Sequence, residues 1–128
     1  CVTQVGLGEI TVGIAFAHDV IKKGISKGYP VILTFPKEGT GYEVGAMSII
    51  KGGPEPDLAK KFIDWMLTKE AQDLMKQWYR IPINPEAEVA KGAVRLSDVK
   101  VVPMDFEYFG KEKDRLIERW KEEIEYGG

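Results

Sequence analysis

The stretch Gly8-Glu9-Ile10-Thr11-Val12-Gly13-Ile14-Ala15-Phe16-Ala17-His18-Asp19 sets the reading of the whole chain. Ile10 to Ala17 is almost wholly apolar and small or β-branched, too apolar for a strand with one wet face. It suits a strand covered on both sides. The polar pair His18-Asp19 closes the run, and Asp19 is of the type that caps helices, so a short helix is expected over Val20 to Ser26. Gly28 stands where a left-handed residue would end that helix. Tyr29-Pro30 leads into a second apolar run, Val31 to Phe35. Strand, helix, strand predicts a parallel crossover unit.

Outward from this unit, Pro36 stops the second run and Lys37-Glu38-Gly39-Thr40-Gly41-Tyr42-Glu43 reads as a glycine-punctuated loop. A third strand is expected from Val44 to Ile50, broken by Gly52-Gly53-Pro54. Pro56 fits the first position of a helix running to Leu67, with Leu58, Ala59, Phe62, Ile63, Met66 and Leu67 at helical spacing. Thr68 recaps the chain for a helix from Glu70 to Trp78, with Ala71, Leu74, Met75 and Trp78 turned inward. Phe62, Trp65, Met66 and Trp78 are expected to be core. Ile81-Pro82-Ile83-Asn84-Pro85 is expected to be extended, because its prolines bar a helix. Val89 to Asp98 reads as loop or short helical turns, and Val99 to Val102 as a short edge strand. Lys111 to Tyr126 predicts an amphipathic helix with Leu116, Ile117, Trp120 and Ile124 on one stripe, ended by Gly127-Gly128.

Composition bounds the function. The chain has 128 residues, one domain's worth, with 44% hydrophobic and 30% charged residues and a formal net charge of −2. An even mixture of signs lacks the basic footprint of a nucleic-acid binder. No apolar run approaches the ~20 residues that span a bilayer. One cysteine, Cys1, leaves no internal disulfide and no cysteine zinc site, and one histidine, His18, leaves little for a histidine-rich metal centre. No metal or cofactor is expected. Cys1 in first position suits a lipidated lipoprotein cysteine, but the structured sequence that follows at once favours a fragment boundary. Ser26 and Ser48 carry no nucleophile signature, so an enzyme is not expected. The loop Gly39-Thr40-Gly41 lacks the Lys-Ser/Thr ending of a nucleotide-binding P-loop.

The ordered motifs carry a resemblance. Gly8-Glu9-x-x-Val12-Gly13-Ile14-Ala15, Gly28-Tyr29-Pro30-Val31 and Pro36-Lys37-Glu38-Gly39-Thr40-Gly41-Tyr42-Glu43-Val44-Gly45-Ala46 come first. Ile49-Ile50-Lys51-Gly52, Ala59 to Trp65, Thr68-Lys69-Glu70-Ala71-Gln72 and Pro82-Ile83-Asn84-Pro85 follow in order. The chain resembles the C-terminal half of a bacterial extracellular solute-binding protein of an ABC transporter, in the branch of ferric-iron and hexose-phosphate binders. The resemblance implies an α/β fold: part of a periplasmic-binding-protein-like (type II) lobe, a mixed sheet of few strands flanked by helices, within a two-lobe protein. Residues 1–35 would finish the second lobe and supply a crossing strand, and residues 36–128 would form the C-terminal part of the first lobe. It further implies a periplasmic or extracellular place, membrane-anchored in the parent, with a membrane permease as partner. A missing N-terminal half, or a second copy in a swapped dimer, would complete the body. Nucleic acid is not an expected partner.

The same resemblance implies the binding residues: His18, Asp19, Gly39, Thr40, Gly41, Tyr42 and Glu43, lining an interlobe cleft. In ferric relatives the positions of His18 and Asp19 hold paired tyrosine ligands. Their replacement favours a small anionic solute such as a sugar phosphate, with ferric iron as the alternative. The chemistry suits a sugar. Asp19 can accept two hydroxyl hydrogen bonds, charge-assisted and so stronger than neutral ones. His18 can donate to a phosphate, and Glu43 offers a second carboxylate. Gly39 and Gly41 would let main-chain N–H groups approach an anion, and Tyr42 would stack on a ring. The plainer alternatives are a helix cap for Asp19, a half-buried strand end for His18 and a hinge lining for Tyr42 and Glu43. A flavodoxin-like regulatory or interaction domain is a further alternative, weakened by the absence of an acidic cluster after the first strand.

Overall fold

The structure, a computed structural model, describes residues 1–126. It is helical. The elements are α1 (Val2–Gly6), α2 (Ala17–Asp19), α3 (Pro56–Met66), α4 (Lys69–Asp73), α5 (Phe106–Lys111) and α6 (Lys113–Trp120). Helix α2 runs on through a π-helical turn at Val20–Gly24 and a 3-10 turn at Ile25–Lys27. Helix α4 continues as a 3-10 turn over Leu74–Trp78, and α6 as a π turn over Lys121–Glu125. A separate 3-10 turn covers Leu96–Asp98.

The mixed α/β sheet expected from the sequence is not formed. Among the described residues there is no strand, and the β pairing is one isolated parallel bridge between Thr40 and Val101. Ile10 to Phe16, Val31 to Phe35 and Val44 to Ile50 lie outside helix and sheet. The physical reason is a want of partners. A strand keeps its form by pairing its backbone groups with a neighbour, and these three runs form no ladder with one another. Val31, Leu33 and Phe35 are half-buried while Ile32 and Thr34 are exposed, which keeps the period-two alternation without the sheet. The expected edge strand at Val99 to Val102 shrinks to the bridge at Val101, held by Thr40 N–H donating to Lys100 O at 2.9 Å and Val102 N–H to Thr40 O at 3.0 Å.

Helices follow the sequence more closely. Pro56 opens α3, where its missing N–H costs nothing. Thr68 caps α4 by accepting from Ala71 N–H at 3.3 Å, and its hydroxyl donates to Trp65 O at 2.6 Å. Gly28 has φ +79°, the left-handed value a helix end favours in glycine. The helix expected over Lys111 to Tyr126 forms as α6 and its π turn, starting at Lys113, while α5 before it was not expected; Asp105 caps α5 by accepting from Tyr108 N–H at 2.9 Å. Gly127-Gly128, expected to end that helix, lie outside the described residues.

Two expectations about burial are corrected. Among the described residues the buried apolar set is Ile21, Ala71 and Ala87, with Gln72 as the buried polar side chain. Phe62, Trp65 and Trp78, read as core, are 53%, 39% and 58% exposed, and Leu74, Ile117, Trp120 and Ile124 are exposed too. Helical spacing aligns such residues on one face but does not supply a second body to cover it. Helix α2 leans on α1, with Gly24 so tightly placed that a Cβ there would stand 2.8 Å from Val31 Cγ2 and 3.0 Å from Val2 Cγ1.

Candidate functional site

Helix α2 begins at Ala17, three residues before the Val20 start that an Asp19 cap would give. Phe16, with φ −68° and ψ 140°, is the residue that turns the chain into it. Asp19 therefore sits inside the helix and makes no cap hydrogen bond. Its carboxylate pairs instead with Lys23, one turn on, at 2.9 Å. That hydrogen bond, with the charges of Lys23, His18 and Arg80 nearby, holds the Asp19 carboxyl below its usual pKa against a smaller opposing effect of burial.

An open cavity of about 640 Å³ lies between α1, the α2 start and the glycine loop, and Asp19, Lys23, Thr40 and Gly41 supply its polar wall. Cys1, Ile14, Ala15 and Phe16 line the rest, with the Cys1 thiol against Ile14 O at 3.5 Å. Asp19 and the Thr40-Gly41 turn, 21 positions apart in the chain, thus share one wall-to-wall space. Of the loop's main-chain donors, Gly39 N–H is taken by Pro36 O at 3.2 Å and Thr40 N–H by Lys100 O at 2.9 Å. The Thr40 hydroxyl donates to Gly41 O at 3.3 Å.

The other expected residues stand elsewhere. His18 does not line this cavity; its ring stacks on Phe16 with centroids 5.4 Å apart and 15° between planes. It borders a second cavity of about 450 Å³ with Lys22, Met75, Trp78 and Arg80, and Asp19 and Lys23 also border that space. Tyr42 packs edge-on against Phe106, with centroids 5.8 Å apart and an 86° interplanar angle. Glu43 is exposed and borders neither cavity. Gly39 packs beside Val102.

The sequence reading does not single out Lys22, Lys23 or Arg80, and it takes Trp78 as core rather than as a cavity residue. The spacing of Asp19 and Lys23, four residues apart, was a legible signal for their pair. Arg80 carries none: it follows Tyr79, a non-glycine residue at φ +57° that closes the 3-10 turn after α4. Among the described residues no three His, Cys, Asp or Glu side chains converge as a metal site would require, and no helix is long and apolar enough to cross a membrane.

Residues 2–73 match the family of bacterial extracellular solute-binding proteins, more than half of the chain, and the chain belongs to that family. It is 42% identical over 122 residues to a protein of Haemophilus influenzae described as uncharacterized, an alignment covering 91% of this chain and 35% of the relative. The chain spans about a third of the length of that curated relative. No solved structure matches.

Proposed function

We propose that the chain is the C-terminal part of the substrate-binding component of an ABC importer, and that it captures a small anionic solute such as a sugar phosphate. Family membership supports the solute-binding role. The observation that carries the ligand class is the shared cavity of Asp19 with Thr40 and Gly41. A carboxylate, a hydroxyl and backbone atoms around one open space offer hydrogen bonds to sugar hydroxyls, and the basic side chains of α2 offer an attraction for the anionic group. In this reading residues 1–35 finish one lobe and supply a crossing segment, while residues 36–128 belong to the other lobe. The protein works in the periplasm or outside the cell and hands its solute to a membrane permease. The missing first half, or a second copy, covers the exposed apolar faces. His18, Gly39, Tyr42 and Glu43 complete the site in this reading. No bond is made or broken; the binding energy comes from charge-assisted hydrogen bonds and exclusion of water.

Calorimetric titration of the two-lobe parent with glucose 6-phosphate and with ferric citrate tests this. Asp19→Ala is expected to weaken the sugar phosphate about tenfold or more, the loss of one charge-assisted hydrogen bond network. Unchanged affinity in that variant removes Asp19 from the site, and binding of ferric citrate alone overturns the sugar-phosphate reading.

A further inference from the structure

The second cavity has a charge pattern of its own. Three cations, Lys22, Lys23 and Arg80, border it together with one carboxylate, Asp19. Asp19 is committed to Lys23 at 2.9 Å. Neither Lys22 nor Arg80 has an acidic partner within 4.0 Å among the described residues. Three positive charges against one negative leave two, both on side chains that face the same space. Lys22 Nζ is held 5.5 Å from the centre of the Trp78 ring, a placement that fixes a mobile ammonium at the cavity wall. Met75 and Trp78 form the apolar part of the lining.

We propose that this cavity is a site for a tetrahedral oxyanion dianion, a phosphate or a phosphate monoester, held by Lys22 and Arg80 with His18 as an additional donor. The chemistry matches group by group. The Arg80 guanidinium offers two parallel N–H donors to two phosphate oxygens. The Lys22 ammonium is a compact charge for a third oxygen, and two net positive charges balance a doubly ionised phosphate. A neutral sugar has no use for that excess charge. The site uses different side chains from the Asp19–Thr40–Gly41 cavity and meets it only at the Asp19–Lys23 pair. That junction gives opposite signs for one substitution. Asp19→Asn frees Lys23, adding a third unpaired cation here while removing the carboxylate from the other cavity.

The test is titration of the 128-residue chain with inorganic phosphate at pH 7.5, followed by nitrogen-15 NMR at constant ionic strength set with sodium chloride. Saturable shifts are expected at the Trp78 indole N–H and the Lys22 and Arg80 backbone N–H groups, and their absence overturns the proposal. Lys22→Gln and Arg80→Gln should each weaken binding at least fivefold. Arg80→Lys should fall between wild type and Arg80→Gln, and Asp19→Asn should tighten binding. Circular dichroism of each variant confirms the fold; where Arg80→Gln alters it, Lys22→Gln and Arg80→Lys carry the test. Equal shifts with sodium chloride alone, or full affinity in the folded Lys22 and Arg80 variants, overturn the site. The two readings fail separately. Phosphate binding that persists while the parent binds ferric citrate and not glucose 6-phosphate sinks only the sugar reading. Glucose 6-phosphate binding by the parent that is insensitive to Arg80→Gln and Lys22→Gln sinks only the oxyanion site.

Discussion

Gln72 is 6% exposed and uses both ends of its amide. Nε2 donates to Met66 O at 3.0 Å, and Oε1 accepts from Ile83 N–H at 2.8 Å and Asn84 N–H at 3.2 Å. One side chain thereby ties the end of α3 to the Ile81–Pro85 segment, which cannot make its own helix bonds. Gln72→Ala leaves two half-buried main-chain donors without a partner and is expected to cost about 1–3 kcal/mol, read as a lowered midpoint in urea. At Asp19 the relevant measurement is titration. The Lys23 hydrogen bond holds its carboxyl below the usual value, so the stability from this pair is complete above the unfolded carboxylate pKa of ~3.9 and is lost as pH falls through the lower folded value. Carbon-13 NMR of the Asp19 carboxyl should show a midpoint below ~3.9, rising in Lys23→Met. A midpoint unmoved by that substitution would show that the pair does not set it.

At the scale of elements, the helices owe their limits to local chemistry and their partners to chance neighbours in space. Helix α4 is short, and its start depends on the Thr68 cap. Thr68→Ala is expected to destabilise by about 1 kcal/mol, while Thr68→Ser retains most of the stability, both measured by thermal unfolding. Asp73 fastens the far side of the same helix. It pairs with Lys69 at 2.5 Å and accepts from Glu88 N–H at 2.7 Å, and the Lys69 bond, first, holds its carboxyl below the ordinary range. Lys76 reaches Glu88 at 2.5 Å from the next turn. Polar contacts thus fix the segment after Pro85 to α4, beside the buried Ala87. The amphipathic α6 differs: its ion pairs, Arg115 with Glu112 and Arg119 with Glu123 at 2.7 Å, run along its own surface, and Arg115 Nη2 also donates to the Tyr108 hydroxyl of α5 at 3.3 Å. Exposed pairs of that kind contribute little.

Across the whole molecule, accessible area is the informative quantity. The chain exposes 10406 Å², where a compact monomer of its mass would expose roughly 6,800 Å². It therefore hides only about three-quarters of the surface that a compact domain of this size hides on folding. The urea m-value of the isolated chain is expected to be smaller by about a quarter than that of a compact 128-residue domain; a full-sized value would mean that the apolar runs are covered in solution. Much was decided by sequence alone: where helices start and stop, at Pro56, Thr68 and Gly28; that Ile81 to Pro85 could not be helical; and which family the ordered motifs resemble. These are local matters, set by a residue's own backbone preferences and its near neighbours. Tertiary structure alone decided that the apolar runs stay unpaired, that Phe62, Trp65 and Trp78 face outward, that Asp19 meets Thr40 and Gly41 while His18 does not line that cavity, and that Arg80 comes to Lys22. Each of those depends on what lies opposite in space, and a pattern of apolar residues records that a surface needs covering without recording whether anything covers it.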